Sequence, residues 1–130
     1  MLKTSLFKQT FLLLCVIGVS DFVANKLYLY WTVWWFDMYM HFISGVCVGM
    51  AGVLVWQYLF DKNISFKKSL FVSMFAILVI GVAWEVFESY FDIAMVVEGG
   101  NYFLDTTSDI ILDFSGAILG SIYAHRIVGK

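Results

Sequence analysis

The chain alternates between four long apolar runs and short polar segments. The runs cover residues 6–24, 37–60, 69–91 and 107–124. Each is close to the ~20 residues that a helix needs to cross the hydrocarbon core of a bilayer. The pattern therefore predicts an all-α integral membrane protein, a four-helix bundle in which residues 1–130 form a single transmembrane domain.

The composition supports this assignment and excludes a soluble domain. Of the 130 residues, 62% are hydrophobic and only 14% are charged, which leaves too few polar side chains to cover a soluble surface. The four runs leave no room for a further folded module. Proline is absent, so we expect no sharply kinked helix, and this disfavours transporters built on discontinuous helices.

The basic residues predict the orientation of the bundle. With four spans, both termini and the loop between the second and third runs lie on one side of the membrane. Every basic residue except Lys26 lies on that side, and the positive-inside rule then predicts that both termini are cytoplasmic. The residues on the predicted cytoplasmic side are Lys3, Lys8, Lys62, Lys67, Lys68, Arg126 and Lys130.

Residues 26–36, between the first two runs, are dense in tyrosine and tryptophan, which is typical of the membrane–water interface. Because Lys26 is the only basic residue in this segment, it lacks the positive charge of a surface that stacks nucleic-acid bases. We therefore expect membrane lipids as partners and no nucleic acid. The pattern leaves the oligomeric state open.

Ionisable side chains lie inside three of the four predicted spans. A charged residue at the centre of a span costs about 2.5–3.5 kcal/mol even on insertion-based scales, so such residues need partners. In each span they are three or four residues apart and share one helix face. At a rise of about 1.5 Å per residue, all lie near the outer boundary of the bilayer, where we expect them to converge. They are Asp37 and His41, Glu85 and Glu88, and Asp109 and Asp113.

These side chains have the chemistry of a metal centre. One imidazole with several carboxylates suits a divalent cation such as Mg²⁺, Mn²⁺ or Zn²⁺, and an Asp-x-x-x-Asp spacing suits a cation that bridges a diphosphate. We therefore predict metal-dependent chemistry on a lipid-linked or lipid-headgroup substrate, with His41, Glu88 and Asp109 as the catalytic residues. The predicted metal ligands are Asp37, His41, Glu85, Glu88, Asp109 and Asp113.

Two other functions would use the same residues. A proton- or ion-coupled transporter would pass charge along the acids, but it also needs polar groups in the cytoplasmic half, where the sequence predicts almost none. A non-catalytic membrane scaffold would use the acids to hold helices together. The pairs Gly45/Gly49 and Gly116/Gly120 fit a scaffold equally well, because small residues four apart permit close helix contact.

Three of the polar residues also have a purely structural interpretation. Asp37 could mark a helix start, where the macrodipole favours an anion. Asp109 could complete a capping box with Thr106. His125 is most simply an interfacial residue beside Arg126.

Three short motifs, in order along the chain, resemble a known family. D-M-Y-M-H-F at Asp37–Phe42, the pair Glu85 and Glu88, and T-T-S-D-I-I-L-D-F-S-G-A-I-L-G at Thr106–Gly120 together resemble the VanZ-like membrane proteins. The segment W-E-V-F-E, at Trp84–Glu88, is closer to the YjdF-like small bacterial inner-membrane proteins. The resemblance implies a multi-pass protein of the bacterial inner (plasma) membrane and cell envelope. VanZ itself is associated with glycopeptide resistance, and the resemblance implies no particular reaction.

Overall fold

The computed structural model describes residues 4–60, 63–91 and 102–128, and these residues contain helices and no strand. Four of the helices are long and apolar enough to cross a membrane, which confirms the predicted all-α, multi-pass class. In chain order the helices are α1 (Ser5–Leu27), α2 (Leu29–Thr32), α3 (Phe36–Leu59), α4 (Phe66–Phe91) and α5 (Tyr102–Val128).

Three of the four long helices extend beyond the predicted apolar runs, and polar side chains cap the starts of α1 and α4. The side chain of Thr4 accepts a hydrogen bond from the backbone N–H of Phe7 (3.2 Å) and so caps α1. The hydroxyl of Ser65 accepts from the backbone N–H of Lys68 (3.4 Å) at the start of α4.

The start of α5 removes one structural interpretation of the acids. This helix begins at Tyr102, so Thr106 already lies inside it. The predicted capping box of Thr106 with Asp109 is therefore wrong, because a capping residue must lie outside the first helical turn. Asp37, in contrast, does lie in the first turn of α3, where the macrodipole favours its charge.

A sharp turn at Tyr28 joins α1 to the short α2. Tyr28 adopts a left-handed conformation (φ 55°), and its N–H bonds the carbonyl of Ala24 to close α1. The hydroxyl of Tyr30 then donates to Oδ1 of Asp21 (2.7 Å), which ties the aromatic segment back to α1. Burial of the phenol and this carboxylate raise the pKa of Tyr30.

Basic residues collect at one end of the bundle. Gln9 of α1 accepts a hydrogen bond from the hydroxyl of Tyr123 of α5 (2.9 Å), and Ser69 of α4 contacts His125 of α5 (3.3 Å). These contacts bring the starts of α1 and α4 to the end of α5, whereas Lys26 lies at the opposite end. The basic residues of this lysine-rich end are Lys8, Lys67, Lys68 and Arg126, while Lys3, Lys62 and Lys130 lie outside the described residues.

The parallel helices α3 and α5 form the closest contact of the bundle. A methyl group added at Gly45 would collide with the backbone carbonyl of Asp113, and one added at Gly116 would collide with the carbonyl of Phe42. The predicted close approach at the glycine pairs is thus confirmed and is reciprocal between the two helices.

The antiparallel helix α4 covers the groove between α3 and α5. Ser69 contacts His125 at one end, and Oδ2 of Asp113 lies 3.1 Å from the position of a Cβ on Gly81 at the other. Between these two contacts the chain advances twelve residues along α4 and goes back twelve residues along α5, as expected for antiparallel helices. The same register places Glu85 opposite Asp109.

Candidate functional site

The candidate site lies at the end of the bundle where α3 begins. Asp37 and His41, one turn apart in α3, lie on the face that packs against α5. The His41 side chain is buried, with only 7% of the residue exposed, whereas the Asp37 side chain keeps 32% of its surface exposed. Asp37 is therefore the member of the pair that reaches the outside of the bundle.

Two carboxylates from α5 reach His41 across the interface between α3 and α5. Asp109 and Asp113, also one turn apart, are 4% and 5% exposed. Their side chains are short, so they reach the imidazole only because Gly45 lets the backbones of α3 and α5 approach closely. The glycine contact and the histidine–acid contact therefore belong to one arrangement.

The two ring nitrogens of His41 contact different acids. Nε2 lies 3.6 Å from Oδ2 of Asp109 and 3.9 Å from Oδ1 of Asp37. Nδ1 lies 3.2 Å from Oδ1 of Asp113. An ionised carboxylate only accepts hydrogen bonds, so the contact with Asp113 requires the proton on Nδ1. When the imidazole is neutral, the lone pair of Nε2 then faces Asp37 and Asp109.

The atoms around Nε2 have the spacing of a metal site. One ligand atom from each of Asp37, His41 and Asp109 lies within 4.8 Å of the other two. Two ligand atoms about 2.1 Å from a shared ion can be at most about 4.2 Å apart, so the distances of 3.6 and 3.9 Å allow each carboxylate to share a cation with Nε2. A nitrogen and two carboxylates suit Zn²⁺ or Mn²⁺, and the carboxylates suit Mg²⁺.

The cluster carries more negative charge than its own residues can offset. Three carboxylates surround one imidazole, and among the described residues no lysine or arginine pairs with them. Buried charges without a counter-charge are strongly unfavourable. A bound cation, or protons shared among the acids, would remove this imbalance.

The two predicted acids of α4 differ in their surroundings. Glu85 reaches the side chain of Thr106 in α5, and its Oε1 is buried without a hydrogen-bond partner. Glu88 accepts a hydrogen bond from Nε1 of Trp84 on its own helix (2.8 Å). Both are close enough to His41 to interact electrostatically, but neither joins the group of three around Nε2. Glu85 is thus the α4 acid with a free oxygen beside the site.

A second group of polar side chains lies toward the lysine-rich end, where the sequence predicted almost none. Ser69, Ser73 and Ser121 are completely buried. Ser73 donates to the carbonyl of Gly49 (2.8 Å). Ser69 contacts His125, so this histidine also has a partner within the bundle, which its position beside Arg126 did not indicate. The prediction for this half is therefore wrong. Serine is hard to detect in an apolar run because hydropathy marks it as neither charged nor apolar, and only the four-residue spacings indicate shared faces.

Comparison with known protein families places the chain in one of them. The family described as "Predicted membrane protein (DUF2238)" matches residues 3–130, and the chain therefore belongs to it. No curated protein and no solved structure matches the chain. The family description agrees with the four membrane-spanning helices, while the VanZ-like and YjdF-like resemblance stays a prediction.

Proposed function

We propose that this member of the family binds a divalent cation through Asp37, His41 and Asp109 and uses it in chemistry on the phosphate-containing headgroup of a lipid. The observation that carries the proposal is the division of contacts at His41. Nε2 faces two carboxylates at 3.6 and 3.9 Å, while Nδ1 is held by a third. Histidine ligands of metals commonly have this arrangement, in which the second nitrogen donates to a carboxylate.

The residues of the site would take separate roles. Asp37, His41 and Asp109 would bind the cation, and Asp113 would orient the imidazole and keep the proton on Nδ1. Glu85 has an unpartnered Oε1 and would act as the general base that accepts a proton from a reacting water or alcohol. Glu88 would be a further catalytic residue, at the border of the site beside Trp84.

The position of the site favours a lipid headgroup as substrate. His41 is five residues from the start of α3, or about 7.5 Å along the helix axis. The preceding segment exposes Trp31, Trp34 and Trp35, side chains that prefer the headgroup level of a bilayer. A cation at this depth would meet phosphate groups of the surrounding or lipid-linked molecules, and divalent cations polarise phosphoryl oxygens.

Ion- or proton-coupled transport is a second candidate function, favoured by the buried serines of the other half. The register of α4 against α5 places Ser73 opposite Ser121, and it places Ile77 opposite Ala117 between these serines and the acids. Ile77 and Ala117 are both buried. Transport would therefore require this apolar layer to open to water, whereas metal-dependent chemistry requires no such opening.

Metal analysis of detergent-purified protein tests the first proposal. We expect one Zn²⁺, Mn²⁺ or Mg²⁺ per chain after loading and removal of free ion, and we expect His41→Ala to lose it. His125→Ala is the matched control, because it removes the other histidine of the bundle and should keep the metal. Wild-type protein that retains none of the three ions would refute the proposal. Ion flux into vesicles without stable metal binding would favour transport instead.

A further inference from the structure

An apolar cleft of about 280 Å³ lies between α3 and α4, away from the candidate metal site. Small side chains form its hollow, notably Ala51 and Gly52 of α3 and Ala76 of α4. On α3 and its C-terminal cap the lining residues run from Val48 to Phe60, which is about 18 Å at the helical rise. That length is slightly more than half of a ~30 Å hydrocarbon core, so the cleft has the depth of one leaflet.

The cleft has a cationic mouth. Trp56 lines it, and Nζ of Lys68 lies 5.1 Å from the centroid of the Trp56 ring, which holds the ammonium group at the lysine-rich end of the cleft. Lys67 precedes it, and both lysines are exposed. Among the residues described, neither pairs with an acid. A long apolar cleft with an ammonium group at its end, and a second lysine one residue earlier in the chain, matches an amphiphile with an acidic head.

We propose that this cleft binds an anionic glycerophospholipid, with one acyl chain between α3 and α4 and the headgroup phosphate beside Lys67 and Lys68. Basic residues at a membrane surface attract anionic lipids, and basic pockets between helices bind acidic headgroups. The site needs no metal and is independent of the chemistry at His41.

Native mass spectrometry of the full-length protein, transferred from mixed micelles that contain phosphatidylglycerol or phosphatidylcholine, tests the proposal. Wild-type protein should retain one phosphatidylglycerol and release phosphatidylcholine. Each of Lys67→Gln and Lys68→Gln should weaken phosphatidylglycerol retention about fivefold, as expected from ~1 kcal/mol per basic residue near a membrane surface. Ala51→Phe should abolish retention by filling the cleft.

Two variants serve as controls for charge and for bulk. Lys26→Gln removes a lysine at the opposite end, and Val79→Phe adds a ring to an exposed position of α4 outside the cleft. Both should retain phosphatidylglycerol like the wild type. Equal retention of the two lipids by wild-type protein, a measurement that needs no variant, would overturn the proposal. A lipid-free dimer would also overturn it and would assign the cleft to a second copy of the chain.

Discussion

Oδ1 of Asp113 lies 3.2 Å from Nδ1 of His41, on the side of the ring away from the other two acids. This contact joins two residues 72 positions apart and is buried between α3 and α5. In the neutral imidazole it places the proton on Nδ1 and leaves on Nε2 the lone pair that a cation would need. In the proposed metal site, Asp113 would thus influence metal binding without belonging to the group of three around Nε2.

Replacement of Asp113 by asparagine should weaken metal binding without abolishing it. The amide has nearly the shape of the carboxylate but no charge, and loss of such an outer contact lowers metal affinity by about 10–100-fold. Calorimetric titration of metal-free protein in detergent measures this change. Asp21→Asn is the control, because Asp21 is exposed and bonds Tyr30 instead. Unchanged affinity in Asp113→Asn would mean that the contact does not support a metal ligand.

Two further amide substitutions separate the acids around Nε2 from those outside it. Asp109→Asn should reduce metal affinity strongly, because its carboxylate lies 3.6 Å from Nε2. Glu88→Gln should leave metal content unchanged, because this side chain bonds Trp84 on its own helix. Elemental analysis of the two purified variants makes the comparison. Equal losses would enlarge the ligand set to include Glu88, and equal retention would exclude Asp109 from it.

The close approach of α3 and α5 predicts the effect of added methyl groups. Gly45→Ala would place its Cβ against the backbone carbonyl of Asp113, and backbone can yield only if the helices separate. We expect a loss of about 1–3 kcal/mol in stability, the typical cost of overpacking, and weaker metal binding as Asp113 moves away from His41. Thermal unfolding in detergent, followed by tryptophan fluorescence, measures the stability.

Gly18→Ala provides the control for that substitution. A Cβ on Gly18 would have no atom within 4 Å, so the change should be neutral or slightly stabilising through the higher helix propensity of alanine. If Gly45→Ala unfolds at the same temperature as Gly18→Ala, the helices must separate at little cost, and the glycine contact would not position the site.

Much of this arrangement could be predicted from residue spacing, because a helix repeats every 3.6 residues. The pairs Asp37/His41 and Asp109/Asp113 share faces for that reason, and the glycines indicate which faces approach each other. The assignment of Asp113 to Nδ1 could not be predicted, since it depends on the offset between two helices. That offset arises from the packing of whole glycine-lined surfaces, and no single residue reveals it.

Ser73 and Ser121 are buried on opposing helices, in the half of the bundle where the apolar pattern predicts almost no buried polar groups. Ser73 donates a 2.8 Å hydrogen bond to the carbonyl of Gly49, whereas Oγ of Ser121 is buried without a partner. Ser73→Ala should therefore destabilise the protein by about 0.6 kcal/mol, the mean for hydrogen bonds between membrane helices. Ser121→Ala should be neutral or stabilising, because it removes an unsatisfied polar group. Thermal unfolding of both variants measures these changes and tests whether the hydroxyl of Ser121 instead binds a group that stabilises the protein. A larger loss for Ser121→Ala would show that its hydroxyl binds water or an ion in the membrane, and would strengthen the case for transport.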